Sequence, residues 1–120
     1  MNGQGSLTTH VLDLTAGTPA RGLDIRLHWL QADAPELLTQ ISTDDNGRSP
    51  LPLLAGEAMR SGRYALTFHV GDYFQRAGLA LPDPSFLDEV VVHFAIADPD
   101  QHYHVPLLMT PWSYSVYRGS

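Results

Sequence analysis

Hydrophobic and polar residues alternate along most of the chain, which is the pattern of β-strands that bury one face. The clearest example is residues 23–29, where four apolar side chains alternate with Asp24, Arg26 and His28. The same period predicts further strands, at residues 7–14, 36–43, 63–70, 89–97, 102–109 and 111–118. The chain is therefore predicted to be an all-β protein.

Short turn sequences rich in Gly, Pro, Asp and Asn separate these strands, at residues 17–19, 44–47, 82–84 and 98–100. Many short strands at such spacing favour a β-sandwich or a barrel. One short helix is predicted at residues 72–77, with Asp72 as its N-cap and Gly78 at its end. It interrupts an otherwise β architecture.

Length and composition limit the domain organisation. A chain of 120 residues fits one domain, so we expect residues 1–120 to form a single domain with one core. Within it, we expect residues 1–6 to be a flexible N-terminal segment. With 43% hydrophobic and 17% charged residues, the chain does not have the composition of a disordered protein. We find neither a membrane-spanning stretch nor a secretory signal, and we expect a cytoplasmic protein.

Charge and missing motifs exclude several classes of function. The net charge is −6, and the basic residues are scattered arginines, so a nucleic-acid surface is not expected. The absence of cysteine excludes disulfides and thiolate chemistry. No G-x-S-x-G, G-x-G-x-x-G or phosphate-loop sequence occurs, which disfavours a serine nucleophile and a nucleotide site.

Histidine is the main source of acid-base chemistry near neutral pH, and the chain has six. Three of them lie within amphipathic segments and are interpreted as structural: His28, His69 and His93. His10 shares a strand face with Thr8 and Leu12, a face that is neither plainly core nor plainly solvent. It is a candidate functional residue.

His102 and His104 lie two residues apart, so both project from the same side of a regular strand. Such a pair is either half of a zinc site or part of a polar sheet face. Arg48 directly follows a turn, and it is either a solvated arginine or a group that binds a planar anion and stabilises an oxyanion. The alternating pattern continues to Arg118, which suggests a working role for residues 117–120.

Four separated motifs carry a resemblance to a known family. They are the LTTHVLD sequence at residues 7–13, the Gly47-Arg48 turn, the HYHVPLL sequence at 102–108 and the YRGS sequence at 117–120. In order and spacing, this set resembles the transthyretin-related 5-hydroxyisourate hydrolases over essentially the whole chain. The hormone carrier transthyretin lacks the histidine pair, so the resemblance favours the enzyme.

The resemblance implies a transthyretin-like β-sandwich of about eight strands with one short helix, assembled as a homotetramer from two dimers. It implies hydrolysis of 5-hydroxyisourate to 2-oxo-4-hydroxy-4-carboxy-5-ureidoimidazoline in urate catabolism, without a cofactor or metal and without nucleic acid or membrane partners. The catalytic positions of the family fall on His10, Arg48, His104 and the terminal Ser120. The expected substrate-binding residues are Ser115, Tyr117, Arg118 and Gly119.

Two alternatives remain open from the sequence. One is a carrier that binds a small ligand without turnover. The other is a metal-binding protein that uses His10, His102 and His104. Within the hydrolase hypothesis, the sequence does not decide which histidine is the general base.

Overall fold

The computed structural model describes residues 4–119, and in this part of the chain it contains nine β-strands, one α-helix and one short 3₁₀ helix, Gly56–Ala58. The α-helix, α1, spans Val70–Arg76. The strands are β1 Ser6–Asp13, β2 Thr18–Pro19, β3 Asp24–Trp29, β4 Glu36–Ser42, β5 Leu54–Ala55, β6 Gly62–Phe68, β7 Val90–Ile96, β8 His102–Met109 and β9 Tyr114–Val116. The all-β prediction with one short helix is confirmed.

The strands form two sheets. The first has the order β2-β1-β8-β9, with β5 also paired to β1, and the second has the order β4-β3-β6-β7. The second sheet is antiparallel throughout. In the first sheet, β1 and β8 run parallel over the full length of both strands. This parallel pair is the structural basis of the candidate site.

The hydrophobic core lies between the two sheets. Strand β1 contributes Leu7 and Val11, and β8 contributes Tyr103, Val105 and Leu107, all of them buried. The alternating residues of β1 are only partly buried, because successive side chains of a strand point to opposite faces. The outer face of the first sheet therefore carries the polar positions of both strands.

The helix begins at Val70, so the predicted start at Asp72 was wrong, and the predicted strand at 63–70 ends at Phe68. Val70 and Phe74 are four residues apart and both are buried, which is the spacing of one helix face. Asp72 is exposed and forms an ion pair with Arg76 at 3.3 Å. Burial of an apolar face, and not a side-chain cap, fixes the start of this helix.

The last strand is shorter than the alternating pattern predicted, since β9 contains only Tyr114–Val116. The residues before it form a turn, in which the Thr110 hydroxyl oxygen accepts hydrogen bonds from the N–H groups of Trp112 and Ser113. At the other end of the chain, Ser6 begins β1, and residues 1–3 lie outside the described part. The flexible N-terminal segment stays a prediction for them.

Candidate active site

The parallel pairing of β1 and β8 brings the predicted histidines together. Thr8 lies opposite His104, and His10 lies opposite Pro106, one step further along the same face. Thr8, His10 and His104 are partly buried and alternate with the buried residues of their strands. His10 and His104, the two proposed catalytic histidines, therefore share the outer face of the first sheet.

The turn at residues 44–48 places Arg48 beside His10. The Asp44 side chain accepts hydrogen bonds from the backbone N–H groups of Asn46 and Arg48, at 2.9 and 3.1 Å. The turn then docks on β1, where the N–H of Val11 donates to the carbonyl of Gly47 at 2.8 Å. A β-bridge between His10 and Arg48 completes this contact.

Gly47 permits the close approach. Its φ is +74°, and a Cβ atom at this position would lie 2.4 Å from the carbonyl oxygen of Val11. Other residues rarely adopt this backbone conformation, and a side chain would push the turn away from the strand. The sequence identified this glycine as a turn residue, and the structure shows that it also sets the position of Arg48.

Beside this face lies a cleft of about 370 Å³, which is lined by Arg48 and His104 together with Thr8, Thr9, Ser49 and His102, whereas His10 is not among its lining residues. The remaining predicted structural histidines lie elsewhere, since His28 and His93 belong to the second sheet and His69 precedes α1. The cleft thus combines a guanidinium group, imidazoles and hydroxyls on one open sheet face.

Both proposed catalytic histidines have perturbed acidity. Burial and the positive charge of Arg48 lower the pKa of His10, although a hydrogen bond with the Asn46 backbone and the Asp44 carboxylate act in the opposite direction. Burial also lowers the pKa of His104, followed by the charges of Arg48, His102 and His10, whereas a hydrogen bond with the Thr8 backbone acts in the opposite direction. These shifts favour the neutral imidazole at both positions, which is the form that accepts a proton as a general base.

Hydroxyl groups on β1 connect the imidazoles of β8. The Thr8 hydroxyl oxygen lies 2.7 Å from Nδ1 of His104 and 3.3 Å from Nε2 of His102. The Ser6 hydroxyl oxygen lies 2.6 Å from Nδ1 of His102. Sequence reasoning placed Thr8 on the face of His10 but did not identify it as a partner of His104, because strand alternation does not reveal which strands are neighbours.

The C-terminal residues reach the site through Gly119. Its backbone N–H donates to the carbonyl of His104 at 2.7 Å, and a Cβ atom on this glycine would lie 3.0 Å from Cδ2 of the His104 ring. Ser115 is paired with Leu108 in β8 and is exposed. Ser120 lies outside the described residues, so its proposed catalytic role stays a prediction.

Arg118 and Tyr117 line a different cavity, of about 340 Å³, between the edges of the two sheets. The Arg118 guanidinium donates to the side chain of Gln101 and to the carbonyl of His102, both at 3.1 Å. It also stacks on the ring of Tyr103, 4.0 Å from its centre. Substrate binding by Arg118 and Tyr117 stays a prediction, and the contacts of Arg118 are those of an anchor for the tail.

The metal-binding alternative gains no support from the geometry. Among residues 4–119, His, Cys, Asp and Glu side chains form no group of three or more that could hold a metal ion. Nor does this part of the chain contain a helix that is long and apolar enough to cross a membrane. The chemistry available at the cleft is therefore that of imidazole, guanidinium and hydroxyl groups.

The fold and the site define a β-sandwich of the prealbumin type that carries a histidine- and arginine-lined cleft on the outer face of one sheet. The chain belongs to the HIUase/transthyretin family, whose model matches residues 7–119.

Similar proteins are found in bacteria and in solved structures. The chain is 52% identical to 5-hydroxyisourate hydrolase 2 of Rhizobium meliloti, with full coverage of both chains. It is 53% identical to the 5-hydroxyisourate hydrolase of Ralstonia nicotianae, over 97% of this chain and 99% of the relative. The structure of Klebsiella pneumoniae 5-hydroxyisourate hydrolase matches with a TM-score of 0.77 and 34% identity, over 97% of this chain and 99% of that one.

The crystal structure of an (S)-allantoin synthase matches with a TM-score of 0.93 and 43% identity. The match covers 99% of this chain but only 45% of that one. The present chain is thus similar to one part of a longer polypeptide.

Proposed function

We propose that this protein hydrolyses 5-hydroxyisourate to 2-oxo-4-hydroxy-4-carboxy-5-ureidoimidazoline, a step of purine catabolism. The observation that carries the proposal is that His10, Arg48 and His104 meet on the outer face of the first sheet, where Arg48 and His104 line the cleft and His10 is bridged to Arg48. This convergence occurs in a chain about half of whose residues are identical to those of proteins named 5-hydroxyisourate hydrolase. The reaction opens a lactam ring, so it needs a nucleophilic water, a stabilised oxyanion and a proton for the leaving nitrogen.

His10 is the proposed general base. One side of its ring is engaged in a hydrogen bond with the Asn46 backbone, which leaves the other ring nitrogen free to accept a proton. As the water oxygen bonds to the lactam carbon, a proton of the water moves to this nitrogen. The lowered pKa of His10 supports the role, because the neutral form is ready to accept.

Arg48 is the proposed group that stabilises negative charge. Within residues 4–119 its guanidinium forms no ion pair, so its donors are available to a ligand. A guanidinium presents several N–H donors in a planar fork that fits carboxylate-like and urate-like anions. It would bind the substrate and stabilise the oxygen that becomes negative when the water adds.

His104 is the proposed proton donor. When the tetrahedral intermediate collapses, the electron pair of the carbon–nitrogen bond goes to nitrogen, which must take up a proton. The Nδ1 atom of His104 contacts the Thr8 hydroxyl, so the Nε2 atom is the one left for the substrate. This assignment divides the two histidines into a base and an acid.

The assembly and location are proposals as well. We propose a homotetramer built from two dimers, in which the cleft on the outer sheet face is covered by a second copy. The open position of the cleft, on the surface of one chain, supports this. Light scattering coupled to size-exclusion chromatography would measure the mass of the assembly.

A cytoplasmic location stays the prediction from the sequence, and fractionation of expressing cells would test it.

The activity is tested with freshly generated 5-hydroxyisourate, whose absorbance decay is followed with and without the protein. We expect the protein to accelerate the decay, and His10→Ala, Arg48→Ala and His104→Ala to lose most of the acceleration. His28→Ala and Arg26→Ala are matched controls in β3 of the second sheet and should retain it. A wild-type protein that leaves the spontaneous decay unchanged would refute the proposal. Saturable binding without turnover would indicate a carrier instead.

The C-terminal residues are tested separately. Because Gly119 contacts the backbone and ring of His104, we expect deletion of residues 117–120 to remove most of the activity while the fold is retained. A C-terminal tag should also lower activity, and an N-terminal tag should not. Full activity after the deletion would contradict a role for the tail.

A further inference from the structure

A continuous row of hydrogen-bonding side chains extends from His104 along the outer sheet face. His104 contacts Thr8, Thr8 contacts His102, and His102 contacts Ser6, with atom separations of 2.7, 3.3 and 2.6 Å. The two imidazole rings are nearly parallel, with 13° between their planes and 6.3 Å between their centres. His102 is exposed in the single chain and lines the cleft, so the far end of the row is within reach of water that enters the cleft.

The hydrogen bonds of the row can all point in one direction or all in the opposite direction. A threonine or serine hydroxyl has one proton to donate, and a neutral imidazole has one N–H and one free nitrogen. If Ser6 donates to His102, His102 to Thr8 and Thr8 to Nδ1 of His104, then Nε2 of His104 carries a proton. If every bond is reversed, Nε2 of His104 is a free acceptor. Both arrangements satisfy every contact in the row.

We propose that Ser6, His102 and Thr8 form a proton relay that resupplies His104 from solvent during the hydrolysis proposed above, on which this inference rests. His104 gives its Nε2 proton to the leaving nitrogen while the Thr8 hydroxyl proton moves to Nδ1. The Nε2 proton of His102 moves to the Thr8 oxygen, the Ser6 hydroxyl proton moves to Nδ1 of His102, and a water molecule protonates Ser6.

The proton balance closes. Each member of the relay gains one proton for each proton it gives up, and the row ends neutral with its hydrogen bonds reversed. The solvent proton that entered at Ser6 is matched by the proton that His10 took from the attacking water and returns to solvent. The row resets when Nε2 of His104 takes up a proton from cleft water and Ser6 releases one.

The surroundings of His104 explain the need for a relay. Burial and the charges of Arg48, His102 and His10 lower the pKa of His104, which disfavours the imidazolium form, the stronger acid. A neutral imidazole is a poor proton donor unless its second nitrogen is protonated as the first loses its proton. The contact between the Thr8 hydroxyl and Nδ1 provides that second proton. Thr8 and His102 would then be positioning residues that act through His104.

The test uses Thr8→Val, which keeps the shape and removes the hydroxyl, Thr8→Ser, which restores the hydroxyl, and Thr67→Val as a control in the second sheet. We expect Thr8→Val to lower kcat by roughly 10–100-fold with little change in KM, the range for residues that act through a ligand or catalytic group. Thr8→Ser should recover most of the loss. His102→Gln, which forms hydrogen bonds but does not shuttle protons, should lower kcat similarly.

Mixtures of H₂O and D₂O distinguish a relay from simple packing. For the wild type, a plot of kcat against the fraction of D₂O should be curved, because several protons move in the same step. For Thr8→Val the dependence of kcat on the D₂O fraction should be weaker and linear. An unchanged kcat in Thr8→Val or in His102→Gln would overturn the relay. So would a dependence on deuterium that is the same in wild type and Thr8→Val.

A measurement that is independent of turnover separates this inference from the proposed function. ¹⁵N spectra of the wild-type histidines should show both tautomers of His104, and Thr8→Val should shift that balance without affecting His10. An unchanged His104 spectrum in Thr8→Val would overturn the relay. If the wild type does not accelerate substrate decay, the proposed function fails, and the spectra still report whether the hydrogen-bonded row exists.

Discussion

Replacing Gly47 with alanine tests whether the docking of the 44–48 turn on β1 creates the site. The backbone of Gly47 has a φ of +74°, and a Cβ atom there would lie 2.4 Å from the Val11 carbonyl oxygen and 3.1 Å from Cβ of Pro19. Gly17 is a matched control, because its φ is +72° and a Cβ atom would meet no heavy atom within 4 Å. The two substitutions therefore share the conformational cost and differ in the collision.

The free energies follow from these surroundings. A non-glycine residue in the left-handed region costs about 1–2 kcal/mol, which applies to both variants. In Gly47→Ala the turn must also move away from β1, and the hydrogen bond between the Val11 N–H and the Gly47 carbonyl, 2.8 Å long, would be lost at a further cost of about 0.5–1.5 kcal/mol. We expect Gly47→Ala to lower the free energy of unfolding by about 1.5–3.5 kcal/mol and Gly17→Ala by about 1–2 kcal/mol.

Activity should separate the two variants more strongly than stability does. A displacement of about 1 Å in a positioning group can cost roughly 100-fold in rate, so Gly47→Ala should lose most of kcat/KM because Arg48 moves with the turn. Gly17→Ala should retain it. Urea denaturation and the 5-hydroxyisourate decay assay supply the two quantities. Equal loss of stability and activity in the two variants would refute the inference that this docking contact positions Arg48.

Three further predictions concern charge, a buried carboxylate and the tail. Arg48→Gln should raise the pKa of both proposed catalytic histidines in an NMR titration, because the guanidinium lowers both, whereas Arg26→Gln in the second sheet should not. Tyr73→Phe should destabilise the fold by about 1.5–3 kcal/mol at neutral pH, since Tyr73 donates to the buried Asp13 carboxylate at 2.9 Å. Burial and Asp13 raise the pKa of Tyr73 to about 12, above the value near 10 of an unfolded chain. The stabilisation by Tyr73 is therefore complete below pH 10 and declines as the pH rises towards 12, a loss that denaturation of the phenylalanine variant should not show. Gly119→Ala should lower kcat on the order of tenfold with little change in melting temperature, because its Cβ would lie 3.0 Å from the ring of His104, the proposed proton donor.

The sequence predicted the strands and the face on which each histidine lies, because alternation of buried and exposed positions is a local property. It did not predict the parallel pairing of β1 with β8. Thr8 and His104 are 96 positions apart, and which strands become neighbours depends on how the two sheets bury their apolar faces together. The contact between these two side chains could therefore be learned only from the structure.

For the C-terminal residues, too, the sequence predicted one part of the structure and not the other. The alternating pattern to Arg118 predicted a long strand, but the strand ends at Val116 and the following residues are held by individual contacts. Arg118 stacks on Tyr103, and Gly119 donates to the His104 backbone. A period of two does not distinguish a strand from a segment that is fixed by individual contacts, so the alternating pattern predicted a strand at residues 117 and 118 where the structure has none.

These contacts meet at His104. Its backbone carbonyl accepts from the tail, its ring accepts or donates at Thr8, and its charge state depends on Arg48 in the docked turn. The three neighbours come from distant parts of the chain, and each reaches His104 through backbone pairing with β1 or β8. Damage to any of the three should therefore alter the protonation or orientation of the same ring. Combined substitutions should then be less than additive in their effect on kcat, because independent sites add and residues that act through one group do not.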